Sequence, residues 1–322
     1  MPQDQLFKQV MDAGLRDWLD AQTQARADAR ADLLRRLALA MVAVPAIVVA
    51  VVLISGDLSW GVMAALGLSG VVYPWVEAPA KAMKTAVKQE ANSALASALG
   101  GRFSALGAPS DDFRRAQRFG LLPSSPDEEH HEDVWTGDFG GVDLVLHEAH
   151  LKEWRGSGRS RRLETVFRGV VVGYRFARAF RGVTVVAHDQ GLINGLAGFL
   201  RAPPGQALER VRMVDPRFES RFEVWSDDPV EARYLVHPAF CERLVEVETA
   251  FNARALRLVF ASGRVAAVLD AGDQFESGGL DRKGDEDRLR AVIEQIGALL
   301  DLVRTLNERP RETPAKQAWS PR

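Results

Sequence analysis

The densest group of chemically reactive side chains lies in the stretch FEVWSDDPVEARYLVHPAF, which covers residues 222–240. Carboxylates, a guanidinium and an imidazole at such short spacing could supply the acid, the base and the stabilising cation of a hydrolytic site. The residues with that capacity are Asp228, Glu231, Arg233 and His237. They form the candidate site that the sequence offers.

The same stretch carries helix-start signals that explain its composition without any chemistry. Asp228 is placed as a helix N-cap with Pro229 at the first helical position, and Pro238 opens a second helix. Glu231 and Arg233 are two residues apart, so they cannot pair along one helix face. Because the acid, base and nucleophile roles lack a complete set, we assign no catalytic residue and predict a folding signature.

Two histidine-containing motifs could bind a metal, and both are set aside. In LHEAHL, His147 and His150 are three residues apart in a stretch that alternates like a strand. That spacing places them on opposite faces, unlike the zinc-protease helix, which needs histidines four apart. DEEHHED, residues 127–133, could catch a divalent cation, but it is predicted to be a solvated acidic loop within residues 121–135. We therefore predict no metal site and no cofactor.

Several other motifs are weaker. GDFGG, residues 137–141, contains a kinase-like triplet without the motifs that must accompany it, and GLINGLAG, residues 191–198, is not followed by Gly-Lys-Ser/Thr. The basic stretch at residues 152–164 could touch anionic lipid, although an exposed loop explains it equally simply. Cys241, the single cysteine, excludes an internal disulfide and is expected to be a buried thiol.

The most informative feature is a pair of uncharged segments, residues 37–54 and 58–76, joined by SGD. They are 18 and 19 residues long, and a bilayer core needs about 20 apolar residues as a helix. We predict an antiparallel transmembrane hairpin, with Gly61 among the small residues that let its helices approach closely. Neither segment contains an ionisable residue, which favours an anchor over a transporter or channel.

Basic residues flank the hairpin on one side only. They are Arg26, Arg30, Arg35 and Arg36 before the first segment and Lys81, Lys84 and Lys88 after the second. Positive residues stay cytoplasmic, so both termini are predicted to be cytoplasmic, with the protein multi-pass in the cell inner membrane. The whole chain has a net charge of −2, which excludes the basic field that nucleic-acid binding needs.

The remaining sequence divides by its periodicity. Residues 1–36 predict a cytoplasmic amphipathic helix, the hairpin covers 37–76, and residues 77–100 predict a juxtamembrane helix. The apolar stripes of the two flanking helices are expected to meet each other or a partner protein, and mutual packing is favoured. Residues 101–279 are predicted to form a soluble α+β domain with a mainly antiparallel sheet and packed helices, because a Gly-, Pro- and Ser-containing break in the helical pattern, residues 99–113, marks its boundary and strand-like alternation begins at Val142. Residues 280–308 predict a C-terminal amphipathic helix, and residues 309–322 a disordered tail.

Three segments resemble the bacterial family DUF3137, a group of uncharacterised membrane proteins. They are VFRGVVVGYRFARAFRGVTVV, DPRFESRFEVWSDDPVEARYLVHPAFCERLVEV and LRLVFASGRVAAVLDAGDQFE. The family pattern is carried by Phe167, Arg168 and Gly169, by Phe222, Val224, Ser226, Asp227 and Asp228, and by Glu231, Ala232, Arg233, Tyr234 and Leu235.

The likeness covers roughly residues 130–278 and departs at Val236-His237, where the family more often has Leu-Thr. The resemblance implies a membrane hairpin ahead of the domain. It carries over no catalytic residues, because the family's activity is not established.

Three hypotheses for function remain open. The first, which we favour, is a non-enzymatic protein anchored in the lipid bilayer, with a cytoplasmic α+β domain that binds a protein partner or a ligand. The second is a membrane-tethered, hydrolase-like enzyme that uses Asp228, Glu231 and His237. The third is a membrane scaffold acting through its juxtamembrane helices.

Overall fold

The computed structural model describes residues 3–139, 141–176, 180–188, 207–213, 215–276 and 279–307. The fold is α+β: two long N-terminal helices precede an antiparallel sheet with packed helices, as the sequence predicts. The chain forms two compact units. The first unit takes residues up to 98 together with 275–293, and the second takes 99–274 together with the residues from 294 onward.

The long elements of the first unit are all helices. It contains α1 (Gln3–Val10), a π-helical turn (Met11–Leu15), α2 (Arg16–Ala21), α3 (Thr23–Ser55), α4 (Leu58–Ala98) and a 3₁₀ turn (Arg282–Gly284). The amphipathic helix predicted for residues 1–36 is thus interrupted. The cause is Gly14, whose φ of +108° lies in the left-handed region that glycine favours.

The hairpin turn between α3 and α4 follows from its residues. Gly56 ends α3 in the left-handed conformation, with φ +68°, and donates its N–H to the Val52 carbonyl. Asp57 Oδ1 accepts the N–H of Ser59 at 2.9 Å, which starts α4. Gly61 then lies so close to Val52 and Val48 on α3 that a Cβ would overlap the Val52 side chain, so the predicted close approach of small residues is confirmed there.

The apolar stripes of the two flanking helices bury each other. Phe7, Val10 and Met11 on the N-terminal side are buried, as are Val87 and Leu95 on α4, which α1 contacts. The mutual packing predicted from their helical spacing is therefore confirmed.

A buried ion pair joins distant parts of the first unit. Arg26 Nη1 lies 2.6 Å from Asp285 Oδ2, and both side chains are almost completely buried. Burial raises the pKa of the Asp285 carboxyl, while Arg26 opposes that shift. Asp285 begins the last helix, α9 (Asp285–Asn307), close to the predicted start of the C-terminal amphipathic helix.

The second unit is built on a single sheet of nine strands among the described residues. The strands are β1 (Gly101–Leu106), β2 (Glu128–Asp138), β3 (Asp143–Arg155), β4 (Arg162–Arg175), β5 (Thr184–His188), β6 (Glu209–Arg210), β7 (Phe222–Ser226), β8 (Ala255–Ala261) and β9 (Arg264–Asp270). Their order is β1-β2-β3-β4-β9-β8-β5-β7-β6, and every neighbouring pair is antiparallel.

The hairpin between β8 and β9 shows how the sequence fixes the register. Its two-residue loop is Ser262-Gly263, with φ values of +53° and +70°. Positive φ at both central residues matches the turn type whose twist suits antiparallel strands, so the turn predicted at this dipeptide is confirmed.

The helices of the second unit are short apart from α9. They are α5 (Asp111–Arg118), α6 (Pro216–Glu219), α7 (Pro229–Leu235) and α8 (Pro238–Ala250). A 3₁₀ turn, Gly158–Ser160, joins β3 to β4. The segments GLINGLAG and 309–322 lie outside the described residues.

One prediction about the start of this unit is wrong, and one strand was not foreseen. A polar loop is predicted over residues 121–135, but β2 begins at Glu128. Residues 101–106 form the edge strand β1, where the sequence shows only a break in helical pattern. Neither strand shows the apolar alternation that identifies a strand in a sequence, because polar or small residues occupy positions on both of its faces.

Helix α5 covers the centre of the sheet and is locked there by an ion pair. The Asp112 carboxylate accepts two hydrogen bonds from Arg264 on β9, at 2.9 Å from Nε and 2.5 Å from Nη2. Asp112 is buried, and Gly173 of β4 lies directly beneath it, so that a Cβ there would overlap the carboxylate. Phe113, the next residue, is completely buried in the core between α5 and the sheet.

This close approach gives a test of how α5 is held. Gly173→Ala should lower the free energy of unfolding by about 3 kcal/mol, because the new methyl group displaces Asp112 from Arg264 and leaves a buried charge poorly paired. Thermal or urea unfolding of the full chain in mild detergent would measure the change. Gly272→Ala is the control, since a Cβ at Gly272 meets open space and its backbone conformation suits any residue. Equal effects of the two substitutions would contradict the assigned role of Gly173.

Candidate functional site

Asp228 lies at the start of α7 and binds backbone groups. Its Oδ1 accepts the N–H of Val230 at 3.1 Å and that of Glu231 at 2.9 Å. This is the N-cap arrangement predicted from the Asp-Pro dipeptide. The carboxylate therefore satisfies two N–H groups that a helix start leaves without intrahelical partners.

Glu231 is buried and holds a segment that lies about fifty residues earlier in the chain. Its carboxylate accepts the N–H of Arg181 at 2.9 and 3.0 Å and the N–H of Gly182 at 2.9 Å. Beside it, Asp227 Oδ1 accepts the N–H of Val183 at 2.7 Å. These carboxylates fasten the chain entering β5 to the start of α7.

The two basic candidates also contact the backbone. Arg233 is exposed to solvent and donates to the Pro229 carbonyl at 3.4 Å. His237 is the N-cap of α8, and its Nδ1 accepts the N–H of Phe240 at 3.3 Å. The Asp228 side chain thus caps the helix that contains Glu231, while His237 caps the next helix. The arrangement can order two helix starts and one strand entry, which is the folding signature that the sequence predicts.

The hairpin presents a second candidate functional surface. Large apolar side chains of α3 and α4 are exposed, although a folded protein usually buries them. Those above half exposure within residues 37–76 are Leu39, Met41, Val42, Val49, Leu53, Ile54, Leu58, Trp60, Val62, Met63, Leu66, Val71 and Tyr73. By length and composition, both helices could cross a membrane.

A charged and aromatic contact marks one end of these apolar surfaces. The guanidinium of Arg36 lies 5.1 Å from the centroid of the Trp75 ring and donates to the Trp75 carbonyl at 2.9 Å. Asp32 pairs with the same arginine at 2.9 Å. Tryptophan and arginine are residues typical of the boundary between lipid tails and water.

Some of the basic residues that flank the hairpin are paired within the first unit, and others are exposed. Arg26 and Lys88 form ion pairs within the first unit, Lys88 with Glu276 at 2.5 Å. Arg35, Lys81 and Lys84 are exposed. The exposed group is therefore the one that could meet anionic headgroups.

The second unit buries two histidines, which the sequence places in separate motifs. His131 of β2 and His147 of β3 have ring centroids 5.2 Å apart. Both contact the ring of Phe113, at centroid distances of 4.7 and 5.9 Å. Burial, with a smaller contribution from His131, lowers the pKa of His147 to about 3, so this imidazole is neutral at physiological pH.

His150 lies on the opposite face from His147, as the strand alternation predicts, and its Nε2 bonds Thr165 Oγ1 at 2.8 Å. The pairing of His147 with His131 is not foreseen from the sequence, because residues 127–133 are predicted to be a loop. No alternation of residue type in EEHHED marks it as a strand, so the sequence carries no local signal for this pairing.

An acidic group lies on the other face of the same strands. The carboxylates of Glu132, Glu148 and Asp273 have oxygen atoms within 4.8 Å of one another. Asp273 is bound by Arg168, at 2.6 Å from its Nε, and Glu148 accepts the Gln274 N–H at 2.9 Å. A guanidinium and a backbone donor already offset much of this negative charge.

Comparison with known proteins gives two matches. Residues 165–308 match the family model described as "Protein of unknown function (DUF3137)", which confirms the resemblance seen in the sequence. A crystal structure of the mycobacterial trehalose monomycolate transport factor A, TtfA, is similar with a TM-score of 0.34 and 15% identity. That similarity covers 70% of this chain and 98% of TtfA. No curated protein matches the chain.

Two substitutions at Asp228 distinguish its structural role as a helix cap from a role as a catalytic base. Asp228→Ala should cost about 1 kcal/mol of unfolding free energy, whereas Asp228→Asn should cost little, because asparagine caps helices as well as aspartate. Thermal unfolding of the full chain measures both. A carboxylate acting as a base would be lost in both variants. A cellular phenotype in Asp228→Asn with unchanged stability would therefore contradict a purely structural role.

Proposed function

We propose that the protein, a DUF3137 protein over residues 165–308, is anchored in the inner membrane by residues 37–76 and presents a cytoplasmic α+β region that binds a protein partner or ligand. The observation that carries the proposal is the exposed apolar surface of α3 and α4. At 1.5 Å per residue the two uncharged segments are about 27 and 28 Å long, close to the thickness of a bilayer core of about 30 Å. Their backbone polar groups are satisfied within helices, as lipid requires.

The orientation rests on charge. The turn between the helices carries Asp57 and no basic residue, whereas Arg35, Lys81 and Lys84 are exposed at the other end. The Arg36–Trp75 contact lies at that same end. Under the positive-inside rule, both termini and the region of residues 101–279 are cytoplasmic.

Binding is favoured over catalysis by the roles of the candidate residues. Asp228, Glu231 and His237 each accept hydrogen bonds from backbone N–H groups that start helices or enter β5. A base or nucleophile engaged in this way would have to give up a structural bond to react. The second unit therefore supports a recognition domain better than a hydrolase.

A cavity in the first unit favours the scaffold alternative as a second candidate. It has a volume of about 450 Å³ and opens between the N-terminal helices and α4. Small residues, among them Ala13, Gly14 and Ala94, line it together with Gln9, Trp18 and Glu90. A partner helix or side chain could enter this space.

The topology can be tested by labelling single cysteines. In a Cys241→Ser background, Ser59→Cys and Ser157→Cys each introduce one exposed thiol at a residue of nearly the same size. In right-side-out vesicles an impermeant maleimide should label the thiol at position 59 directly and that at position 157 only after detergent is added. The reverse pattern would overturn the proposed orientation, and labelling of both without detergent would overturn the membrane anchor.

The partner can be sought by crosslinking in intact cells, followed by purification in mild detergent and mass spectrometry. We expect one stoichiometric protein, lost when residues 101–279 are deleted and retained in the cavity-filling variant Ala94→Trp. Loss in Ala94→Trp with retention in the deletion would instead support the scaffold candidate. Recovery of the protein alone would contradict partner binding and direct attention to small ligands.

A further inference from the structure

The hairpin formed by β3 and β4 extends beyond the strands on either side of it. Pairing of β3 with β2 stops at Lys152, and pairing of β4 with β9 stops at Gly169. We call residues 153–164 the hairpin tip. In the sheet of the described residues they pair only with each other, so they form a projecting two-stranded ribbon rather than the exposed loop considered for this stretch.

Basic side chains face each other across the hairpin tip. Arg155 lies directly opposite Arg162 in the antiparallel register. Like charges in this position destabilise a pair of strands. Glu164 offsets part of the repulsion, at 2.5 Å from Arg162 and 3.8 Å from Arg155. The tip still has four arginines against two glutamates, a net charge of +2 in a chain whose net charge is −2. An anionic partner would relieve the remaining repulsion.

An aromatic side chain lies beside these charges and is 45% exposed. It belongs to Trp154, and the guanidinium carbon of Arg161 lies 5.0 Å from the centroid of its ring. Asp127 fixes the backbone there, because its Oδ2 accepts the Trp154 N–H at 2.8 Å. Tryptophan is typical of the boundary between lipid tails and water, where its apolar ring enters the lipid and its N–H meets the headgroups.

The turn that closes the hairpin tip is tight and internally bonded. Gly156 has a φ of +84°, and a Cβ there would overlap the Ser160 carbonyl. Ser160 Oγ donates to the Ser157 carbonyl at 2.8 Å. The arginines of both strands are therefore held at one end of the ribbon before any partner arrives, which reduces the entropy that binding must remove.

We propose that the hairpin tip binds the headgroups of an anionic lipid membrane, with its arginines on the phosphates and Trp154 at the lipid boundary. Each basic residue close to an anionic leaflet adds to the attraction. Lipid is favoured over nucleic acid because Trp154 suits the lipid boundary and because residues 37–76 would keep the chain at a bilayer. In that second reason the inference rests on the proposed function.

The experiment uses the full chain in nanodiscs of phosphatidylcholine, so that neutral lipid surrounds residues 37–76. These nanodiscs are mixed with sedimentable vesicles of phosphatidylcholine, either alone or mixed with phosphatidylglycerol, and empty nanodiscs give the background. We expect the chain to sediment with the vesicles that contain phosphatidylglycerol and not with the neutral ones. Added salt should weaken the binding, because it screens exposed charges.

Matched variants assign the binding to the hairpin tip. Arg155→Gln combined with Arg162→Gln should weaken binding about 30-fold, since each arginine near an anionic surface accounts for about 5-fold. Arg175→Gln combined with Arg254→Gln removes the same charge from two equally exposed arginines outside the tip and should leave binding close to that of the wild type.

Trp154 supplies the apolar part of the interaction. Trp154→Ala should remove most of the binding that persists at high salt, a readout that loss of charge alone would not move. Melting temperatures check that the variants fold. If Trp154→Ala lowers the melting temperature, the arginine pair carries the test, because both of its side chains are exposed to solvent.

Four results would overturn the inference. They are equal binding to both kinds of vesicle, no binding to either, equal losses in the two pairs of arginine variants, and binding of a short DNA duplex by the tip without binding to anionic vesicles. Elution of the chain with the nanodiscs tests the anchor separately. A chain that stayed outside them would contradict the anchor and would be mixed with the vesicles directly, so the two failures are distinguishable.

Discussion

The first unit depends on the need to keep residues 37–76 out of water while satisfying their backbone. Two adjoining segments without a charge can do so only as helices within lipid, or buried in protein, and here their side chains are exposed. Gly56 and Asp57 reverse the chain within three residues, and Gly61 lets α4 approach α3. The direction of both flanking helices, and the compartment we propose for the rest of the chain, follow from this hairpin.

A long-range polar contact completes the first unit. Arg26 and Asp285 are 259 residues apart in sequence, yet their ion pair is buried. Removing two charges from water costs several kcal/mol for each ion, so the pair is better understood as specifying one arrangement than as adding stability. Asn92 supports the same return of the chain, because its Nδ2 donates to the Phe275 carbonyl at 2.9 Å. Residues 275–293 therefore rejoin the helices that precede the sheet.

Sequence patterns predicted those parts of the structure that local chemistry determines. The uncharged runs, the Asp228-Pro229 cap and the Ser262-Gly263 turn each need only a few neighbouring residues to be identified. Strand β2 was missed because EEHHED offers no apolar alternation, although its successive residues face opposite sides of the sheet. The kink at Gly14 was also missed, since a glycine within a helical pattern does not reveal its φ.

Contacts between distant residues account for the rest of the candidate site. Glu231 was recognised as a reactive residue, but its partners, the N–H groups of Arg181 and Gly182, could not be inferred from spacing. The same holds for His131 and His147, which belong to motifs that were each weak alone. A motif search tests residues along one segment, whereas an antiparallel sheet brings together residues from two, so strand register decides which groups can act together.

The proposed membrane anchor would change what the second unit must achieve to be useful. A domain held at a membrane meets other membrane-bound molecules at an effective concentration that can reach the millimolar range, set by the length and stiffness of its connection. An interface of modest affinity can then be largely occupied, because the second contact is effectively intramolecular. Since α4 continues as a helix to Ala98, only a few residues separate its end from β1 at Gly101. With residues 37–76 as the proposed anchor, a partner that is itself in the membrane or bound at its surface gains most from this effective concentration.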